Sequence, residues 1–428
     1  MADRKVRVAL IGAGNRAAED EMEFSKTGLM QVVALCDVDI EGKQCEYAVQ
    51  KYPDVPRYTD WRRMFDEIAS EFEAVIVATP DHSHFAIAMR ALREGKHVYL
   101  EKPMCRTFLE TQLLMDEAAA HPEIVTQMGN QGHSGGNYFQ FKLWMEAGLI
   151  QDVTRIDAFM NEDRRWFRYD PAIKRFPEGK ERPQGMNWDT WLSSAPYHDF
   201  CDEFHQGNWR SWYDFGMGAL GDWGAHIIDA PHRFLKLGLP YEVQVLKSEG
   251  HNDYFFPMAS TLLFRFPRRG TMPACDIYWY DGKDNYPEFP EGFEFNSRKP
   301  GYIAPGKILY TRDYIMQGGH HNQKLKIIPK EVQESLKDKL PYIPKSPSNH
   351  YENFLKACLG EEKTRSPFEE VGELCQVFNL GVIAQRLGHG FKFDRGTRQI
   401  VDDPFANSML AGEPPRKGWE EYFSAENI

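Results

Sequence analysis

Short apolar runs recur through the first third of the chain, each followed by a polar stretch long enough for a helix. Residues 6–11, 31–37, 74–80, 97–100 and 124–128 are rich in Val, Ile and Leu on nearly consecutive positions. That is the pattern of strands buried on both faces. Residues 41–51, a short turn begun by Thr59 or Asp60, 81–93 and 107–120 carry the helical segments between them, the third stopped at Gly95. Strands alternating with helices predict a parallel, right-handed, doubly wound sheet. Ligands of such sheets sit at the carboxyl ends of the strands. Gly12, Asp37, Thr79, Lys102 and Asn130 all fall there.

The pattern changes after about residue 130. Residues 138–147 read as a helix ended by Gly148, and 153–160 alternate like an antiparallel strand. Residues 164–213 lack periodicity and hold Trp166, Trp188, Trp191, Trp209 and Trp212. Residues 243–247, 260–266 and 275–280 read as strands of an open sheet, and 349–359 and 368–387 as amphipathic helices. The tail from Phe405, rich in Pro, Gly and acids, is expected to wrap the surface. The expected fold is therefore α/β: a doubly wound domain over residues 1–130, then an α+β domain over 131–428 with an open, largely antiparallel sheet.

The first strand ends in Gly12-x-Gly14-x-x-Ala17. Gly12 permits a tight turn, Gly14 lets a pyrophosphate approach the backbone, and Ala17 lets the next helix pack close. That helix N-terminus turns free N–H groups toward phosphates. The second strand ends in Asp37, at the distance where a dinucleotide fold places its ribose-binding carboxylate. An acid there accepts from the ribose hydroxyls and repels a 2′-phosphate, which favours NAD over NADP.

Composition narrows the field. The chain has 428 residues, enough for two domains, and a net charge of −12, which argues against nucleic acid or an anionic membrane as partner. Seven cysteines, scattered and without C-x-x-C, fit reduced thiols rather than a disulfide framework or zinc site. No apolar run reaches membrane-spanning length. The first residues lead straight into a strand with no signal peptide, so the expected location is the cytoplasm, or the periplasm if a leader was removed.

Three segments together resemble the Gfo/Idh/MocA oxidoreductases, the family of glucose–fructose oxidoreductase and inositol dehydrogenase. They are Gly12-x-Gly14-x-Arg16-Ala17, the run from Gly95 through Glu101-Lys102-Pro103, and Gly218 to Asp229 with Asp222 and His226. The resemblance implies an N-terminal Rossmann domain, a C-terminal α/β domain and a homo-oligomer, dimer or tetramer, built through its open sheet. It also implies a small carbohydrate substrate. The cofactor-facing set expected is Gly12, Gly14, Asn15, Arg16, Asp37, Thr79, His84, Glu101, Lys102 and Asn130. A cis bond after Lys102 is common in the family.

The chemistry fits these residues independently. Oxidising an alcohol needs a base for the hydroxyl proton and an acceptor for the hydride. Lys102 can hydrogen-bond the reacting oxygen and polarise a developing carbonyl. Asp222 and His226, four residues apart, share one helix face. His226 is the natural proton acceptor near neutral pH. Asp222 would orient it and raise its pKa, or bind a sugar hydroxyl. Arg164 and Trp209, from the tryptophan-rich stretch, join Lys102, Asp222 and His226 as expected substrate contacts. Gln131 could also reach the site, and His82 could line the cofactor groove. Asp229 and His232 read as structural, His320-His321 as loop, and no metal is expected. The first reading is a NAD-dependent oxidoreductase of a sugar or polyol hydroxyl. The alternative is a redox-neutral, NAD-dependent glycosidase or lyase that works through a 3-keto sugar.

Overall fold

In the computed structural model, residues 4–161, 170–205, 207–295 and 302–424 are described, and they build two sheets. The first holds β1 (Val6–Ile11), β2 (Met30–Cys36), β3 (Arg57–Tyr58), β4 (Ala74–Val77), β5 (His97–Leu100) and β6 (Thr126–Met128) in the order β3-β2-β1-β4-β5-β6. All its pairings are parallel. This is the doubly wound order with its switch point between β1 and β4, where a crevice opens at the strand ends.

The apolar runs are buried on both faces, as their composition requires. Ala9, Val75 and Val77 face a core shared with the helices Trp61–Ile68, His84–Arg93 and Phe108–Ala120. Val8, Leu10 and Ile76 face the other way, onto the helix Arg16–Ser25. A helix from far along the chain, His350–Cys358, completes this second layer with Phe354 and Leu355. Phe24 meets Tyr99 and Tyr351 edge-on, each at 5.0 Å.

The second sheet has nine strands. They are β7 (Arg155–Met160), β8 (Glu242–Glu249), β9 (Ala259–Phe266), β10 (Cys275–Gly282), β11 (Gly306–Tyr310), β12 (Ile315–Gly318), β13 (Lys326–Ile328), β14 (Phe391–Asp394) and β15 (Gln399–Val401). Their order is β13-β12-β11-β7-β10-β9-β8-β14-β15. The sheet is mixed and mostly antiparallel: β7 pairs antiparallel with β11 but parallel with β10. The strands β11 to β15, unseen in the hydrophobic pattern, are short, and several alternate with charged residues at the sheet's margins.

The helix Phe368–Leu387 was expected to be amphipathic and is instead buried on most sides. It is wedged between the Phe108–Ala120 helix, the helix Gly218–Ile227 and β8, so it has little solvent face. The tail does wrap the first domain: Trp419 packs on Trp61 at 5.9 Å, and Arg93 donates to the carbonyls of Glu421 and Ser424, each at 2.9 Å. The described part of the tryptophan-rich stretch forms a separate aromatic cluster, with Trp188 and Trp191 stacked at 4.3 Å, and Trp166 lies outside the described residues. It leans on the carboxyl ends of the first sheet. Asn187 N donates to Val38 O at 2.8 Å, and the His82 ring bridges to the carbonyls of Trp191 and Phe215.

Candidate active site

A cleft of about 650 Å3 opens at the switch point, and residues from both halves of the chain line it. Its floor is the glycine turn. Gly12 has φ +91°, and a Cβ there would sit 2.6 Å from Ala78 O, so the turn admits only glycine. The bareness of Gly14 is already used by the protein: a Cβ would meet Gln44 at 2.8 Å. Asn15 lines the cleft and precedes the helix Arg16–Ser25 with φ 47°. At the end of β2, Asp37 is held by two backbone donors, Ala13 N at 2.9 Å and Asp39 N at 3.0 Å. Arg16 binds Asp20 at 2.7 Å and Glu101 at 3.1 Å, and Gln131 adds a bond to Glu101 at 3.0 Å.

The opposite end of the cleft brings together Lys102, Asp222, His226 and Asp81. Lys102 follows β5 and precedes a cis bond to Pro103. Its ammonium donates to Asp222 Oδ1 at 2.6 Å and to Asp222 O at 2.7 Å. Asp222 and His226 lie on the helix Gly218–Ile227, as the four-residue spacing predicts. Arg210 stands 3.9 Å from Asp222 and stacks on Trp209 at 4.1 Å. Asp81 accepts from Met217 N at 3.1 Å, and burial pushes its carboxyl up to about 7, against the pull of Arg210.

Asp222 does not orient His226. It is bound to Lys102, and the ring instead stacks face to face on His321 at 3.8 Å. The expected upward shift of His226 is therefore reversed. Burial, then the Lys102 ammonium and the neighbouring imidazole of His321, hold it well below the ordinary histidine range. The ring is neutral, and its Nδ1 is buried with no partner among the described residues.

Other expectations are also corrected. His84 is fully buried behind the cleft, its two ring nitrogens against Pro103 O at 2.8 Å and Thr79 O at 2.9 Å. It braces the walls and does not line the groove, because it begins a helix that packs under the sheet. Asn130 is likewise buried and donates to Asp229 Oδ2 at 3.1 Å, beside His133. Thr79, Glu101 and Trp209 do line the cleft, while Arg164 lies outside the described residues. Among the described residues there is no metal-holding cluster.

Asp81, Trp223 and His321 line the cleft and were missed, while Trp191 and Arg210 reach it from the tryptophan-rich stretch expected to supply substrate contacts. An acid just after Thr79-Pro80 and a double histidine after Gly318-Gly319 were the available signals.

Comparison with known proteins gives this architecture a lineage. The Gfo/Idh/MocA oxidoreductase family matches twice: its NAD-binding Rossmann fold over residues 6–128 and its C-terminal alpha/beta domain over residues 166–258. A glycosyl hydrolase family 109 protein from Streptomyces niveus is 30% identical over 202 residues, 46% of this chain and 40% of its own length. Inositol 2-dehydrogenase 1 from Saccharopolyspora erythraea is 29% identical over 170 residues, 39% of this chain and 49% of its own. The chain thus matches less than half the length of either of these curated relatives. The WlbA dehydrogenase from Bordetella pertussis, solved with NADH and UDP-GlcNAcA, shares the fold with a TM-score of 0.62 at 14% identity, over 92% of this chain and 99% of its own. Sequence motifs, sheet order and family match agree, and the chain belongs to the Gfo/Idh/MocA oxidoreductase family, with an NAD-binding Rossmann fold at its head.

Proposed function

We propose that the protein is a NAD-dependent oxidoreductase acting on a hydroxyl of a sugar or polyol. The observation that carries this reading is Lys102. Its ammonium is held by Asp222 at the carboxyl end of β5, in the same cleft as the glycine turn and the His226–His321 stack.

The residues fit the dinucleotide. The turn at Gly12 leaves no room for a Cβ, and the carboxylate of Asp37 is fixed by two backbone N–H groups at the site where a 2′-phosphate would be repelled. Gly12, Gly14, Asn15, Arg16, Asp37, Thr79 and Glu101 would hold NAD, which when bound supplies the hydride acceptor. Lys102 donates to the reacting oxygen and stabilises charge that develops there. Asp222 keeps that ammonium aimed. Trp209 and Arg210, with Trp191 and Trp223, offer aromatic faces for sugar C–H groups and a donor for hydroxyls. A neutral imidazole of the His226–His321 stack takes the hydroxyl proton.

A second reading keeps the same residues in a redox-neutral cycle, with a 3-keto sugar formed, eliminated across and reduced again. One observation favours it. The aromatic stretch is tied to both sides of the nucleotide groove, at Val38 and at His82, which hinders exchange of a bound dinucleotide. The S. niveus relative carries a hydrolase name.

The enzyme works as a homo-oligomer through the outer face of the nine-stranded sheet, where Tyr278 and Tyr280 are only half buried and Arg155 covers Tyr278 at 4.5 Å. Its free cysteines, with none paired among the described residues, suit the cytoplasm. No described helix is long and apolar enough to cross a membrane.

The test is a dialysed preparation whose NAD content is measured before any addition. It is then offered a panel of sugars and polyols, with NADH absorbance as the readout, and a panel of aryl glycosides without added cofactor. NADH from a sugar supports net oxidation, and aryl release without added NAD supports the cycle. Silence on both panels by protein that binds NAD overturns the proposal.

A further inference from the structure

The pair His320–His321 carries an observation that the reading above does not use. Their Nδ1 atoms lie 2.6 Å apart. That separation holds a single proton: with none, two lone pairs face each other, and with two, the N–H groups collide. One neutral ring is therefore the Nδ1–H tautomer and the other the Nε2–H tautomer.

The loop is built to make this pair. His321 adopts a left-handed backbone, φ 50°, which a non-glycine residue keeps only when its surroundings impose it. Its N–H donates to His226 O at 3.0 Å, and Lys307 Nζ donates to Gly319 O at 2.7 Å. Gly132 backs onto His321 O so closely that a Cβ would lie 2.9 Å from it. Lys307 is a buried lysine inside strand β11, where burial lowers it to about 8 against the pull of Asp229. The result is an imidazole, His321, that lines the cleft and stacks on His226, joined to a second, His320, that stands outside the lining beside Trp223 at 5.3 Å.

His226 is a poor resting place for a proton. Its buried Nδ1 has no acceptor among the described residues, and Lys102, Arg16, His320 and His321 surround it with positive or protonatable groups. His321 has what His226 lacks, a partner on its far nitrogen.

We propose that His321 takes the hydroxyl proton and that the His321–His320 pair conducts it out of the cleft. This rests on the oxidoreductase reading above. The substrate O–H breaks as N–H forms on His321 Nε2. The Nδ1 proton of His321 crosses to His320 Nδ1, and the Nε2 proton of His320 leaves past the side-chain amide of Gln323, which lies 3.4 Å from that nitrogen and accepts through its oxygen in this tautomer, to water. Each ring gains one proton and loses one, and the electron pair of the C–H bond leaves as the hydride already assigned. The reverse passage, to a carbonyl being reduced or to water in the emptied cleft, restores the starting tautomers. The groups facing His321 are His226, His320, Lys102, Arg16 and Asp222; burial, then His320, Lys102 and Arg16, push it down to about 4 against the pull of Asp222, so its ring is neutral near pH 7.

The experiment has two arms, both on the full chain loaded with NAD. In the first, 15N-histidine NMR without substrate should show His320 and His321 as neutral rings of opposite tautomer with a shared Nδ1 proton, unchanged from pH 8 to pH 6. Replacing His320 by Asn should release His321 from its tautomer. In the second, sugar-driven NADH formation is followed beside a dye that reports proton release. His321→Asn, which tolerates the left-handed backbone, should lower kcat about 100-fold. His320→Asn should lower kcat about 10-fold with KM unchanged and delay proton release behind NADH, since water replaces it imperfectly. Two rings that titrate independently, or a His320→Asn variant with wild-type kcat and no delay, overturn the relay. If no sugar or polyol of the panel yields NADH with the wild-type protein, it is the oxidoreductase reading that fails, and the NMR arm alone decides the shared proton.

Discussion

Lys102 and Asp37 are the two side chains whose removal separates chemistry from binding. Lys102→Ala takes away the donor at the reacting oxygen and leaves Asp222 with Arg210 at 3.9 Å. Turnover should fall by roughly two to four orders of magnitude, the scale for losing such a group. NAD affinity, measured by calorimetry, should stay close to wild type, because the glycine turn and Asp37 lie at the other end of the cleft. Near-normal turnover would reduce Lys102 to a structural partner of Asp222. Asp37→Ala should do the opposite, narrowing the gap between NAD and NADP affinities while leaving the ion pair at Lys102 intact. Equal affinity of the wild-type protein for both nucleotides would remove Asp37 from its role. Asp37 was legible in the sequence because it closes a strand of unmistakable composition after a glycine turn, and Lys102 because the run Glu101-Lys102-Pro103 resembles the family's. The stack of His321 on His226 was not, since it joins a loop to a helix far from it in the chain.

At the scale of elements, the helix Gly218–Ile227 decides the geometry of the site, and its glycines decide its position. Gly224 lies against Phe378 of the helix Phe368–Leu387, where a Cβ would come within 2.7 Å of the ring. Gly224→Ala should overpack this seam and destabilise the protein by about 1–3 kcal/mol, seen as a lower thermal midpoint. Because the same helix carries Asp222 and His226, sugar KM should rise while NAD affinity holds. An unchanged midpoint and KM would mean that the two helices slide apart freely. The glycines of this run were visible as a motif. Their contact with a helix that follows far along the chain was not, because periodicity describes a face and not what covers it. The same limit made the Phe368–Leu387 helix look amphipathic when two layers enclose it.

For the whole molecule, the docking of the C-terminal part on the first sheet has a pH signature. His350 is buried and neutral: its Nε2 donates to Met128 O at 2.8 Å, and its Nδ1 accepts from the Ser134 hydroxyl at 2.7 Å. Burial lowers it to about 3, against the pull of the Met128 carbonyl. The unfolded chain takes up a proton near pH 6.5, which the folded ring refuses, so stability is full above that pH and declines as pH falls toward 3. At pH 5 the loss from this one group is about 2 kcal/mol. Urea midpoints at pH 7 and pH 5 should fall less for His350→Gln than for wild type. Asp81, raised to about 7, acts in the opposite sense, losing its contribution as pH rises, so the test is the difference between the two proteins rather than either curve alone. Equal falls would place the ring in solvent.

What the sequence determined by itself is local and periodic. Buried parallel strands announce themselves as unbroken apolar runs, and a glycine turn before a helix needs no distant partner to be recognised, so the dinucleotide fold, Asp37 and the spacing of Asp222 and His226 could all be read, with Lys102 added by the resemblance of its Glu-Lys-Pro run. The tertiary structure alone decided who touches whom. It gave Asp222 to Lys102 instead of His226, turned His84 and Asn130 into the wall behind the cleft, brought His321 onto His226, and set a helix near the C-terminus into the core of the first sheet. These outcomes depend on packing and desolvation among residues far apart in the chain. A buried charge takes the best partner within reach, and reach is a property of the folded molecule.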